Sequence, residues 1–160
     1  MSAFQEMINR YARPGVVQGI WLRPARLIEP VCVEQALLTE GGLEGDHGRA
    51  GKRAVTLIQA EHLAVIGAML GQQAVDPARL RRNFVVAGLN LNALKGRHLQ
   101  IGDAVLEIST ICAPCSRMET ALGQGGYAAM RGHGGWCASV VSTGVVSLGV
   151  AVVPLPVTGH

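Results

Sequence analysis

Aromatic and charged side chains are both scarce in this 160-residue chain, at 4% and 16%. So few aromatics exclude a nucleic-acid surface built on base stacking. A formal charge of +3, from 14 Lys+Arg against 11 Asp+Glu, is too small for a protein living on phosphate contacts along a nucleic acid. What the chain has in quantity is apolar: 49% hydrophobic residues exclude a disordered segment and place the core on Val, Leu, Ile and Ala. The length suits one domain with a sizeable core.

Residues 1–15 lack the apolar run of a signal peptide and carry Glu6, Arg10 and Arg13. Phe4, Met7, Ile8 and Tyr11 fall at helical spacing, which predicts a short amphipathic helix docked on the body or on a partner chain. A charge-free stretch, residues 136–159, is long enough in principle to cross a bilayer. Ser139, Ser142, Thr143, Gly144, Ser147, Gly149, Pro154 and Pro156 break it up, so it is read as hairpins, CASVV, a turn at Thr143-Gly144, then VVSLGVAVV. No membrane span is expected. Cys32, Cys112, Cys115 and Cys137 without an export signal point to a reduced, cytoplasmic protein rather than a disulfide framework. The expected organisation is a helical extension at 1–15, one domain at 16–155 and a tail at 156–160.

Strands are expected at 16–22, 31–37, 54–58 and 83–88. Between the last two, His62, Leu63, Ile66, Met69 and Leu70 form an apolar helical face ending at Gly71. Asp76-Pro77 then opens a short helix, with Asp as N-cap and Pro at the first helical position. The clearest hairpin joins 98–101 to 104–110 through Gly102-Asp103, and a helix is expected over 116–122. Many short strands and few helices argue for an antiparallel barrel, a mostly β fold with flanking helices.

The chemistry-bearing residues cluster in four places. In ICAPCSRMET, Cys112 and Cys115 admit several uses: a dithiol redox pair, part of a zinc site, or a single nucleophilic or metal-binding thiolate at Cys115 beside Arg117. Two small buried hydrophobes fit the spacing equally well. In GGLEGDHGRAGKR, glycines with Arg49, Lys52 and Arg53 read either as an anion cradle or as an ordinary surface loop, and Asp46-His47 is a faint metal signal. In Leu80-Arg81-Arg82-Asn83-Phe84, guanidinium groups suit phosphate and an amide suits a heterocycle edge, although a solvated helix end would look the same. The loop 131–136 containing His133 is read as a substrate edge or a flexible crossing.

Taken in order, GIWLRPAR (19–26), GLEGDHG (42–48), AVTLIQAEHL (54–63), RLRRNFVVAGLNLNAL (79–94), GRHLQIGDAVLEI (96–108), CAPCSRME (112–119) and RGHGGWCASVV (131–141) resemble the MOSC domain, the C-terminal module of molybdenum-cofactor sulfurases. The resemblance implies a twisted, largely antiparallel β-barrel and a pterin-based molybdenum cofactor, or sulfur destined for a metal centre, handled by one cysteine. That cysteine matches Cys115, as metal ligand or sulfur acceptor. Cofactor contacts are expected at Arg81 and Asn83, with Arg26, Thr56, Arg53 and Arg117 also in the candidate site. Pro114 stands where the amidoxime-reducing branch has an arginine, which points to the small stand-alone group, and Gly149-Val150 replaces the usual Gly-Asp. The implied activity is reduction of N-hydroxylated substrates with an electron-donor protein. The alternatives are a persulfide carrier loaded by a cysteine desulfurase, and a CxxC dithiol oxidoreductase. Pyridoxal phosphate would enter only through a partner or by family association. Nothing in the sequence specifies an oligomeric state.

Overall fold

Turn residues and apolar alternation become strands along most of the chain: β1 (Gly15–Leu22), β2 (Val31–Cys32), β3 (Gln35–Thr39), β4 (Gly42–Leu43), β5 (Val55–Gln59), β6 (Phe84–Ala87), β7 (His98–Ile101), β8 (Ala104–Ile111), β9 (Trp136–Ser142), β10 (Gly144–Ser147) and β11 (Ala151–Pro154). The helices are α1 (Ala3–Ile8), α2 (Ala60–Met69), α3 (Pro77–Leu80), α4 (Ser116–Leu122) and α5 (Gly126–Met130). The structure is a computed structural model and describes residues 1–157, so part of the expected tail, 158–160, lies outside the described residues.

Hydrogen bonding runs β11-β7-β8-β9-β5-β6-β1, and β11 pairs again with β1, so seven strands close into a barrel. Closure leaves no free edge around this ring. The expected antiparallel barrel is present with one exception: β5 and β6 run parallel. A parallel pair needs a long crossover, and α2 and α3 supply it. Outside the ring, β2 pairs with β1, while β10, β3 and β4 form a second small sheet.

Two clusters make the core. The barrel interior holds Val17, Ile20, Leu57, Phe84, Val86, Leu99, Leu106, Ile108 and Trp136, among others. A second cluster lies between the outer face of β5 and β6 and the helices, and contains Ile58, Val85, Leu63, Ile66, Leu80, Met118 and Met130. This explains why AVTLI and FVVA show no polar alternation: Leu57, Phe84 and Val86 face inward while Ile58 and Val85 face the helices. The hairpin at Gly102-Asp103 forms as expected, with Ile101 opposite Ala104. Gly102 takes φ +59 against the backbone of β10, where a Cβ would sit 2.7 Å from the Val145 carbonyl oxygen.

Three local expectations change. The strand foreseen at 31–37 is two strands serving different sheets, β2 on β1 and β3 on β10. Residues 136–154 do form strands, but not hairpins with one another. Instead β9 enters between β5 and β8, β10 joins β3, and β11 closes the barrel. Alternation and turns specify strands locally, whereas pairing is decided by which seams remain open. Third, α1 is helical, with a Ser2–Gln5 capping box, yet it buries no residue; Phe4, Met7 and Ile8 stay more than half exposed. The expected docking on the body does not occur. No described helix is long and apolar enough to cross a membrane.

Candidate functional site

The loop after β1, the loop after β4 and the start of β6 meet at one buried carboxylate. The Asp46 side chain is fully enclosed, and Arg23, 13% exposed, clamps it by Nε to Oδ1 at 3.0 Å and Nη2 to Oδ2 at 2.9 Å. The Arg23 and Gly48 amides and Asn83 Nδ2 also donate to it. Burial alone would raise the Asp46 pKa, but these hydrogen bonds and the guanidinium charge hold it below the usual carboxylate range. The loop read as cradle or mobile surface is therefore tied down at its centre, and His47 beside it is exposed.

Asn83 is buried completely and is the hub between the strands. Its Oδ1 accepts from the Thr56 amide at 3.0 Å, the Thr56 hydroxyl at 3.2 Å and Arg23 Nη2 at 3.3 Å, while Nδ2 donates to the Trp21 carbonyl and to Asp46. The Thr56 hydroxyl also accepts from the Asn83 amide. Both amide hydrogens and the carbonyl oxygen of Asn83 are thus committed within the protein. Asn83 and Thr56, expected as cofactor contacts, are placed as the knot holding Arg23 and Asp46.

The cations lie around this knot. Arg81, the C-cap of α3 at φ +56, donates to the Ile28 and Ala25 carbonyls and so anchors the loop carrying the exposed Arg26. Burial pulls its pKa down, and so does repulsion from Arg23 and Arg117, with only Asp46 opposing. Arg81 and Arg117 make no ion pair with any described carboxylate. Arg53 is exposed but within electrostatic range of Cys112 and Cys137. Arg82, between these cations in sequence, is the one that is buried, at 7% exposure. It donates to the carbonyls of Gly134 and Leu80, both at 2.8 Å, and of Cys112 at 3.4 Å.

The two cysteines of CAPC have different surroundings. Cys115 is exposed and caps the N-terminus of α4, with Arg117 two residues on. Cys112, just past β8, is partly buried and lines a cavity of about 210 Å³ with Met130, Trp136, Asn92 and Gly134. Its thiol is engaged by Cys137, whose hydrogen bond outweighs burial and, with Arg82, Arg23 and Arg53, brings the Cys112 pKa down to about 6. The same contact, reinforced by burial, pushes the Cys137 thiol up. Among the described residues no three His, Cys, Asp or Glu side chains converge as a metal-holding group, so neither CAPC nor Asp46-His47 is the start of an all-protein zinc site.

Sequence reasoning missed Arg23, the weight of Asp46 and the buried position of Arg82 beside the expected contact Arg81. The available signal was Arg82-Asn83 leading into the all-apolar FVVA, because a charged residue entering such a strand needs internal partners. Gly135 fixes the cavity wall: it sits at φ +91, and a Cβ there would lie 2.0 Å from the Leu57 carbonyl oxygen. Its own carbonyl accepts from the Cys112 amide. Gly135→Ala is expected to cost roughly 2–4 kcal/mol through left-handed strain and overpacking. Chemical denaturation should show it, and a loss under about 0.5 kcal/mol, the surface-substitution range, would contradict the packing.

The MOSC domain family model matches residues 44–153. No curated protein matches the chain. Among solved structures, the YuaD protein of Bacillus subtilis superposes with a TM-score of 0.78 at 17% identity, covering 88% of this chain and 94% of that one. YiiM of Escherichia coli gives 0.73 at 22% identity, covering 93% and 73%. YiiM of Geobacillus stearothermophilus gives 0.75 at 18%, covering 89% and 76%. These similarities show a shared barrel, and the family model spans well over half of the sequence: the chain belongs to the MOSC domain family.

Proposed function

We propose that the protein binds a pterin-type molybdenum cofactor, with Cys115 as the protein ligand to the metal, and reduces N-hydroxylated substrates. The observation that supports this reading is a group of cations, Arg81 and Arg117, without a carboxylate partner among the described residues, with the exposed thiol of Cys115 two residues before Arg117. Arg81 is repelled by Arg23 and Arg117, and only Asp46, already clamped by Arg23, opposes this. Such a group is suited to an anionic guest, and a thiolate is a good ligand for a thiophilic metal. The residues therefore fit a phosphate-bearing molybdenum cofactor.

When bound, that cofactor supplies a redox-active centre able to take oxygen from a substrate. The chain's own part is to hold it. Arg81 and Arg117 would meet its negative charge, the Asp46–Arg23–Asn83–Thr56 knot fixes the segment from which Arg81 projects, and α4 carries Arg117 with Cys115 at its start. Arg26 and Arg53 are exposed cations at the periphery. An electron-donor protein would deliver the reducing equivalents, in the cytoplasm. The exposure of Cys115 also suits a second reading, in which a cysteine desulfurase leaves a persulfide there. Sulfur added to Cys115 after incubation with a desulfurase would favour that second reading.

The test is cofactor retention in protein from a host that makes molybdopterin. The double variant Arg81→Ala, Arg117→Ala is expected to retain pterin roughly a hundredfold to ten-thousandfold more weakly, since each loses a charge-assisted contact of about 1.5–3 kcal/mol. Unchanged pterin fluorescence in the double variant would overturn the proposed anion contacts.

A further inference from the structure

Cys112 and Cys137 take no part in the reading above, yet they sit together in a charged, accessible place. Residue 111 pairs with 136 across β8 and β9, and the Cys112 amide bonds the Gly135 carbonyl. Cys112 and Cys137 therefore occupy diagonal positions on one face, close enough for each thiol to act on the other's pKa. Cys137 is 4% exposed, whereas Cys112 opens onto the cavity of about 210 Å³. Behind them lies Arg82, a buried guanidinium whose partners among the described residues are three carbonyl oxygens. None of these carries a full negative charge, so the site has a cation waiting for an anion, and a thiolate at Cys112 supplies it.

We infer that Cys112 and Cys137 form an oxidant-responsive dithiol, in which Cys112 reacts with a small hydroperoxide entering the cavity and Cys137 resolves the product. The Cys112 thiolate attacks one peroxide oxygen, the O–O bond breaks, and the other oxygen leaves as an alcohol or water after taking a proton. Cys112 is then a sulfenic acid. The Cys137 sulfur attacks the Cys112 sulfur, the S–O bond breaks, and oxygen departs as water with the Cys137 proton. The hydroperoxide gains two electrons, and the two sulfurs lose two in forming the disulfide. A thiol reductant reverses it by exchange. Cys112 is the first residue beyond β8, where its backbone is held by the amide's bond to the Gly135 carbonyl and by Arg82 on its own carbonyl, so two bonds must adjust for the sulfurs to close to bonding distance.

The charge state favours Cys112 as the attacking group. Cys137, Arg82, Arg23 and Arg53 all lower its pKa, to about 6, whereas Cys137 is held as the thiol. Cys32 and Cys115, both exposed, are internal controls.

The experiment treats the full chain with hydrogen peroxide and maps thiols by mass spectrometry under non-reducing conditions. The expected product is a peptide pair linked through Cys112 and Cys137, lost on adding dithiothreitol. In Cys137→Ser, dimedone should label Cys112. Should that variant not fold, the wild type is alkylated with iodoacetamide across pH. Cys112 labelling should then be half-maximal near pH 6, with Cys137 inert. A Cys112–Cys115 link, sulfenic acid at Cys115 with Cys112 still a thiol, or Cys112 labelling only above pH 8 would each overturn the inference. The Cys112–Cys137 link, its loss with dithiothreitol and the pH midpoint of Cys112 labelling do not depend on whether Cys115 binds molybdenum.

Discussion

Replacing Asp46 with alanine is expected to destabilise the barrel by about 3–5 kcal/mol, the usual consequence of stripping one partner from a buried ion pair. The reason is in the bookkeeping of donors. Asp46 accepts from the Arg23 amide, Nε and Nη2, from the Gly48 amide and from Asn83 Nδ2. Its loss leaves a largely enclosed guanidinium without a counter-charge, facing the neutral Asn83 Oδ1 and Arg81 carbonyl, strips an Asn83 amide hydrogen of its acceptor, and releases the loop from the β1–β6 seam. Asp46→Asn keeps the shape but not the charge and should fall between wild type and alanine. The pH dependence has a definite sign. The folded pKa lies below the unfolded value of 3.8, so the contribution is complete at neutral pH and disappears as pH falls through the folded pKa. Urea titrations at pH 7 and below pH 4 should therefore show the Asp46→Ala deficit shrinking with acid. A deficit that stays constant would mean that the ion pair is not its source.

Arg82→Leu is expected to cost about 3 kcal/mol and to alter Cys112 at the same time. Leucine fills much of the volume but leaves the carbonyls of Leu80, Gly134 and Cys112 without a donor. It also removes a cation that lowers the Cys112 pKa, so the pH midpoint of Cys112 alkylation should move up. Arg82→Lys keeps the charge with a different donor geometry, and should restore the alkylation midpoint better than it restores stability. Equal stability of Arg82→Leu and wild type would show that the three carbonyls have other partners. An unmoved midpoint would remove Arg82 from the thiolate's environment.

What could be read from the residues follows a physical divide. The hairpin at Gly102-Asp103 was legible because a two-residue turn between alternating arms has one solution. The helix at 116–122 and the Asp76-Pro77 helix start were legible because caps and prolines act locally. Barrel class followed from strand number and length. Pairing among β9, β10 and β11 was not legible, since three seams compete for three apolar strands and local pattern does not rank them. The parallel β5–β6 pair could have been suspected from two unalternating apolar runs separated by helices.

The candidate site divides the same way. Arg81 and Arg117 stand near one another and with Arg23 form the cationic group, and Cys115 lies two residues before Arg117 at the start of α4. Arg23 carried no distinguishing neighbour in GIWLRPAR, and its importance arises from Asp46, 23 positions away. Asn83 looked like a ligand because an amide beside arginines often is one, but the barrel uses all its hydrogen-bonding groups to join three segments. Cys112 and Cys137 could not be paired from spacing, because their contact depends on the register between β8 and β9.

The most direct test of the central proposal is the metal content of pure protein from a molybdopterin-producing host. Wild type should carry molybdenum and pterin in comparable molar amounts, and Cys115→Ser, with its fold checked by circular dichroism, should lose most of the molybdenum. Molybdenum bound equally by the folded Cys115→Ser variant and the wild type would contradict the role of Cys115 as ligand.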